Sequence, residues 1–347
     1  KYAFNKGHWS RIMYGSDNPI QNFMQSHMNN KNLMPLRGPI NKKTLSCNEN
    51  GVRRVINNDK YGFKNRNSVY EKKIYVLLIG DSFTEGYCYD EDNDIAGVLR
   101  NKFGTNTANL GISGGGPLLS LASLKEYGTN FKPNFVVYLY SETNDMEDLK
   151  NEKKTFLINY LDEFNQNLIN RNDEINYFFN DYEDIAYKFF EEKIRKSYNK
   201  FDAMEKEIKK STSNKKIEIL KDFFELQKLK TFFLTSSTYG HENAIDKKLF
   251  TRILRKFKSE TTQWNGKFIV VYLPEWNRFN QKSFTHFFHK KKIESIIKSL
   301  NIPYIDMVQE FEKEEDPINF YPFGLFGHYT AEGYRLVAES IFKNITD

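Results

Sequence analysis

The chain of 347 residues is long enough for one large α/β domain, or for a core domain carrying a sizeable insertion. Hydrophobic residues make up 39% and aromatics 16%, so a packed core is within reach, and the mean hydropathy of −0.67 reflects abundant Lys, Asn and Glu rather than disorder. The formal charge of +6 is modest, and Lys is scattered with no basic stripe of base-stacking aromatics, which argues against a nucleic-acid partner.

In chain order, residues 1–72 read as an irregular N-terminal extension with frequent Gly, Pro and Asn, and a short hairpin is expected over 52–67. The pattern changes at residue 73. Residues 74–79 (IYVLLI) form a short continuous apolar run, the mark of a strand buried on both faces. A helix is predicted over 92–103, a short strand over 106–110, and a helix over 117–127 with Pro in its first turn. Residues 135–140 (FVVYLY) give a third buried strand.

Between about 146 and 265 the rhythm breaks into charged, aromatic, helix-rich sequence, including 155–170, 175–201 and 215–230, with an αβ-like piece near 231–237. This stretch is expected to be a helical insertion or cap. Core strands then resume at 268–273 and 302–306, with helices over 284–300 and 331–345. Strands alternating with helices imply a parallel sheet covered on both faces, with ligands bound beyond the carboxyl ends of the strands. The expected division is an N-terminal extension (1–72), a core (73–145 and 266–347) and an insertion (146–265).

Cys47 and Cys88 are the only cysteines and lack metal-ligand spacing. No metal or other cofactor is expected. A single Cys47–Cys88 bridge is compatible with the sequence but cannot be argued from it. No apolar run of about 18 residues occurs, so no membrane span is expected. The chain opens on Lys1 without a Met, which fits a trimmed or mature chain. An extracytoplasmic or surface-associated place is the working expectation, and the oligomeric state is left open.

Four short pieces carry chemistry. The first strand ends in Gly80-Asp81-Ser82, followed by Phe83-Thr84-Glu85-Gly86. A Ser at that edge can act as a nucleophile facing a crevice, or can simply cap the next helix. The second is the Gly-rich run Gly111-Ile112-Ser113-Gly114-Gly115-Gly116, whose backbone donors converge on the same edge. It lacks a dinucleotide fingerprint and a P-loop lysine, so nucleotide binding is the weaker reading. The third is Glu142-Thr143-Asn144-Asp145, in which the Asn amide can donate to an oxyanion. The fourth is Gly327-His328-Tyr329 before the last helix, where a His can serve as general base to a Ser on the first strand. His8, His27, His241, His286 and His289 have no comparable loop context and read as surface or helix residues.

Taken in order, the four pieces resemble the SGNH (GDSL) hydrolase superfamily over residues 73–145 and 266–345. The resemblance implies a three-layer α/β/α, flavodoxin-like parallel sheet of about five strands, with the helical insertion after the third. It implies Ser82 as nucleophile, the Ser82 and Gly114 N–H groups with the Asn144 amide as oxyanion hole, and His328 as base. Gly114 is preferred to Gly111 on the alignment of the Ser-Gly run. The sequence departs from the family twice. Glu142 stands where the family has Gly, as in members resembling polysaccharide O-acetylation proteins, which also favour Gly-Asp-Ser-Phe-Thr-Glu-Gly. Leu325 stands three before His328, where the family has its Asp. Either a backbone carbonyl orients the imidazole, or an acid comes from elsewhere, with Asp306 the first candidate and helix capping its competing role.

The function expected is a serine esterase or O-acyltransferase acting on a small ester or glycan substrate, O-acetyl groups of a glycan among them. The alternative is a non-catalytic SGNH-like module that binds a glycan or partner.

Overall fold

The computed structural model describes residues 19–45, 49, 51, 54–182, 184–185, 188, 191–192, 195, 199, 245–280 and 284–346. The expected segments at 215–230 and 231–237 lie outside these residues, as do Cys47, His8 and His241.

Val76–Gly80 (β3) is an unbroken apolar run with every residue buried, and it becomes an inner strand because both its faces can be covered. It pairs in parallel with Thr107–Asn109 (β4) on one side and Phe135–Ser141 (β5) on the other. β5 pairs with Lys267–Leu273 (β6), and β6 with Tyr304–Asp306 (β7). The order β4-β3-β5-β6-β7 is the flavodoxin-like arrangement, so the expected fold class holds. The topological switch point lies at the carboxyl ends of β3 and β5.

Side chains alternate across the sheet with period two. Leu77, Ile79, Val136, Tyr138, Tyr140, Val270 and Tyr272 face one core with Pro117–Ser123 (α4), Asp145–Glu152 (α5), Lys247–Thr262 (α6) and Phe284–Ser299 (α8). Val76, Leu78, Val137, Leu139, Ile269 and Val271 face the other with Ile95–Phe103 (α3), Trp276–Asn280 (α7), Met307–Phe311 (α9) and Ala331–Thr346 (α10). α6 lies against β6 and stacks Phe257 on Tyr138, so it serves as the crossover between β5 and β6. Leu157, Tyr160, Leu168 and Phe178, from the stretch expected as a cap, are buried in the first core. Among the described residues no helix is long and apolar enough to cross a membrane.

The N-terminal segment is ordered where it is described. Pro19–Lys31 (α1) is a helix, and Lys43–Leu45 (β1) pairs antiparallel with Val55–Asn57 (β2). The antiparallel pair therefore joins 43–45 to 55–57, so only its second strand falls within the expected 52–67. Met24, Leu33, Leu36, Phe63 and Val69 join the first core. Asn65 treats edge strand β4 as a neighbour would: its amide donates to the Asn109 carbonyl and accepts the Asn109 N–H, each at 2.8 Å. An otherwise open sheet edge is thereby satisfied.

Lys64 makes the deepest tie. Its ammonium, nearly fully buried, lies 3.0 Å from the Asp94 carboxylate and donates to the carbonyls of Gly86 (2.8 Å) and Tyr89 (3.0 Å). Two carbonyl hydrogen bonds and the opposite charge of Asp94 are what make a buried ammonium tolerable. Lys64→Met strands the Asp94 charge in the interior and is expected to lower unfolding free energy by about 3–5 kcal/mol, read from urea denaturation. The double variant Lys64→Met/Asp94→Leu is expected to recover most of that loss.

Candidate active site

The turn after β3 is built for a tight strand-to-helix reversal. A Cβ on Gly80 would sit 2.1 Å from Thr84 Oγ1, so only Gly lets the helix Ser82–Glu85 (α2) fold back on its strand. Asp81 caps α2, its carboxylate accepting the Phe83 N–H at 2.9 Å. Gly86 closes the turn in the left-handed region at φ 71°, where a Cβ would strike Asp94. Ser82 is the first residue of α2, so its N–H has no partner within the helix.

His328 enters from the loop before α10. Its Nε2 lies 2.7 Å from Ser82 Oγ. The imidazole sits between the rings of Phe83 and Tyr87, with centroids at 4.6 and 4.7 Å. Its Nδ1 faces a carboxylate that sequence reasoning missed: Glu49 Oε1 and Oε2 lie 3.0 and 2.9 Å away. Glu49 Oε2 also accepts the His328 backbone N–H at 3.0 Å.

Asp306 does not take this place. It caps α9 through the Val308 N–H at 3.1 Å and pairs with Lys290 at 2.5 Å. β7 lies three strands from β3, about 14 Å across the sheet, which puts this carboxylate out of reach of the imidazole. Leu325, in the family's acid position, is 61% exposed.

The Gly-rich loop is strapped to the Ser82 turn from two sides. The Glu85 carboxylate accepts the Ser113 N–H at 3.0 Å and also its hydroxyl. Asn109 donates to the Thr84 carbonyl at 2.7 Å and accepts the Gly111 N–H at 2.8 Å. Gly111 is thus committed to structure, and a Cβ there would lie 2.3 Å from the Glu85 nitrogen. Gly114 differs: it is half-exposed at φ 74°, and its N–H has no hydrogen-bond partner among the described residues. Asn144, after β5, is held by Ser141 Oγ donating to its Oδ1 at 3.0 Å and by its own Nδ2 donating to Asp148 at 2.6 Å. One Nδ2 hydrogen is left for another acceptor. Ser82, Gly114 and Asn144 therefore share one edge, beyond the ends of β3, β4 and β5.

Glu142, the family's Gly position, is buried in a network of its own. It pairs with Arg278, accepts the Tyr272 hydroxyl at 2.7 Å and the Glu275 N–H at 3.2 Å. Burial works against its charge, yet Arg278 holds its carboxyl below the usual carboxylate range. His286, expected at the surface or on a helix, is helical but buried, with Nδ1 3.0 Å from Glu275. His289 reaches the Tyr140 hydroxyl at 2.7 Å, and His27 packs on Phe23 and Phe178. Among the described residues no group of His, Cys, Asp and Glu is arranged to hold a metal ion.

No family model matches the chain, and no curated protein does. Solved structures do resemble it at low identity. A chain from Desulfitobacterium hafniense described as a lipolytic protein of the G-D-S-L family shares 13% identity at a TM-score of 0.42, covering 78% of this chain and 98% of its own. A lipase/acylhydrolase from Enterococcus faecalis shares 12% at 0.42, covering 78% and 94%. A variant of an acetyl-xylooligosaccharide esterase from Geobacillus stearmophilus shares 14% at 0.39, covering 79% and 96%.

Two buried carboxyls underlie the turn. Burial pushes the Asp81 carboxyl up to about 6, against the pull of His328 and the Phe83 N–H. Burial, then the Asp81 charge, pushes Asp145 well above the carboxylate range. An acid raised on folding keeps its proton in the folded chain after the unfolded chain has lost it. Its contribution to stability therefore falls as pH rises from the ordinary 3.8 to about 6. Asp81→Asn keeps an oxygen for the Phe83 N–H and is expected to flatten the decline of unfolding free energy over that window. Equal slopes in variant and wild type, by urea denaturation across the range, would refute it.

Proposed function

We propose that the protein is a serine-dependent ester hydrolase or O-acyltransferase that works through an acyl-Ser82 intermediate. The observation that carries this reading is the 2.7 Å approach of His328 Nε2 to Ser82 Oγ at the switch-point crevice. His328 takes the Ser82 proton as Oγ adds to the ester carbonyl carbon. The oxyanion is held by the Ser82 and Gly114 N–H groups and the free hydrogen of Asn144. The intermediate then collapses, and the leaving alkoxide takes the proton from His328. Water or a sugar hydroxyl attacks the acyl-enzyme and gives its proton to His328, which returns it to Ser82.

The Gly-Asp-Ser-Phe-Thr-Glu-Gly form and the resemblance to O-acetylation proteins favour O-acetyl groups of a glycan as the substrate class. Transfer and hydrolysis part at the acceptor. Incubation with an acetyl ester donor and a hydroxyl-rich oligosaccharide, followed by mass spectrometry, is expected to yield acetylated sugar if transfer occurs, and acetate alone if water is the acceptor.

A serine-directed fluorophosphonate is expected to label Ser82 and to leave Ser82→Ala unlabelled, with hydrolysis of p-nitrophenyl acetate falling at least about 10³-fold in that variant. An unlabelled wild type would point instead to a binding module. Asn144→Ala is expected to lower kcat by about 10²- to 10³-fold with little change in KM.

A further inference from the structure

We infer that Glu49 is the positioning residue that orients His328, so that the N-terminal segment is part of the catalytic unit. The inference rests on the reading of Ser82 and His328 as nucleophile and base. Its geometry is independent of any substrate. Both Glu49 carboxylate oxygens lie within 3.0 Å of Nδ1, and one also accepts the His328 backbone N–H. A carboxylate that grips ring and backbone together fixes the tautomer with hydrogen on Nδ1, leaving Nε2 free to take the Ser82 proton.

The surroundings are fitted to this carboxylate. Gly327 leaves the room: a Cβ there would sit 3.1 Å from Glu49 Oε2. The Glu49 N–H donates to Cys88 Sγ at 3.3 Å, and Cys88 is itself disulfide-bonded, six residues beyond Ser82. Glu49 is therefore held to the same loop that holds the nucleophile. The other acids on hand are committed elsewhere: Asp81 to the Phe83 N–H, and Asp306 to Lys290 and the Val308 N–H. Leu325 points the family's acid position at solvent. Glu49 and His328 lie 279 residues apart, so the family's local Asp-x-x-His arrangement is replaced here by a long-range one.

The test uses the full chain and the variants Glu49→Gln, Glu49→Asp and Ser82→Ala. Glu49→Gln is expected to lower both kcat on p-nitrophenyl acetate and the rate of Ser82 labelling by a fluorophosphonate, by about 10²- to 10⁴-fold, with KM little changed. Glu49→Asp is expected to recover at least about tenfold over Gln, because it restores the negative acceptor. In proton NMR, the far-downfield Nδ1–H signal of His328 is expected in wild type and Glu49→Asp and lost in Glu49→Gln. Gln and wild-type rates within about threefold, or a downfield signal that survives Glu49→Gln, would overturn the inference. If Glu49→Gln does not fold, the decision falls to wild type and Glu49→Asp: absence of the signal in both overturns it. An unlabelled Ser82, or full activity in Ser82→Ala, would overturn the nucleophile reading instead, while the NMR signal still decides what holds the imidazole.

Discussion

The buried ammonium of Lys64 is the interaction on which the candidate site most depends. It belongs to a segment whose described strands lie outside the main sheet, yet it donates to two carbonyls of the loop that follows Ser82 and pairs with the Asp94 cap of α3. A cation in that position cannot shift without leaving either its own charge or that of Asp94 unpaired in a low-dielectric interior. The turn that carries Ser82 is consequently braced from outside the sheet, while Gly80 and Asp81 brace it from within. Asn65, the next residue, closes the edge of β4, so two adjacent side chains attach the N-terminal segment to both the site and the sheet.

The two departures from the SGNH pattern have different structural accounts. Glu142 brings a charge where the family has none, and the chain surrounds it with Arg278, Tyr272 and the Glu275 N–H, so the added carboxylate is satisfied locally. Leu325 stands where that pattern has its Asp, and the His328 ring meets instead a carboxylate from the hairpin region. The loop from Phe323 to Phe326 is then free of that duty, and Phe323, Leu325 and Phe326 stand exposed beside His328.

Much of this was legible in the chain. Buried strands such as β3, β5 and β6 announce themselves as short apolar runs, and parallel topology puts their end loops on one edge, which is why Ser82, Gly114, Asn144 and His328 could be named together. Sheet order was harder to use. Asp306 does end a strand on that edge, but its distance from β3 follows from where β7 joins the sheet, which no local pattern records. Glu49 left no periodic signal, since a carboxylate in irregular sequence looks like any solvated acid. The cysteine count was the one hint, because pairing of two cysteines would bring position 47 to position 88, just past Ser82. His286 reads from sequence as a surface or helix residue because Glu142 and Glu275, beside which it is buried, meet it only in three dimensions.

The contact between Glu49 and His328 has a consequence for synthesis. It joins positions 279 residues apart, so the surroundings of the imidazole are complete only once the chain has been made through residue 328. Contacts of such separation form late, after local and sheet-building ones have offset the entropy of ordering the chain. A ribosome-bound fragment that already displays the Gly-Asp-Ser turn carries Glu49 but lacks His328, so the clasp cannot yet form. The pairing of imidazole and carboxylate is thus withheld from the nascent chain by topology alone, until the segment around residue 328 has emerged.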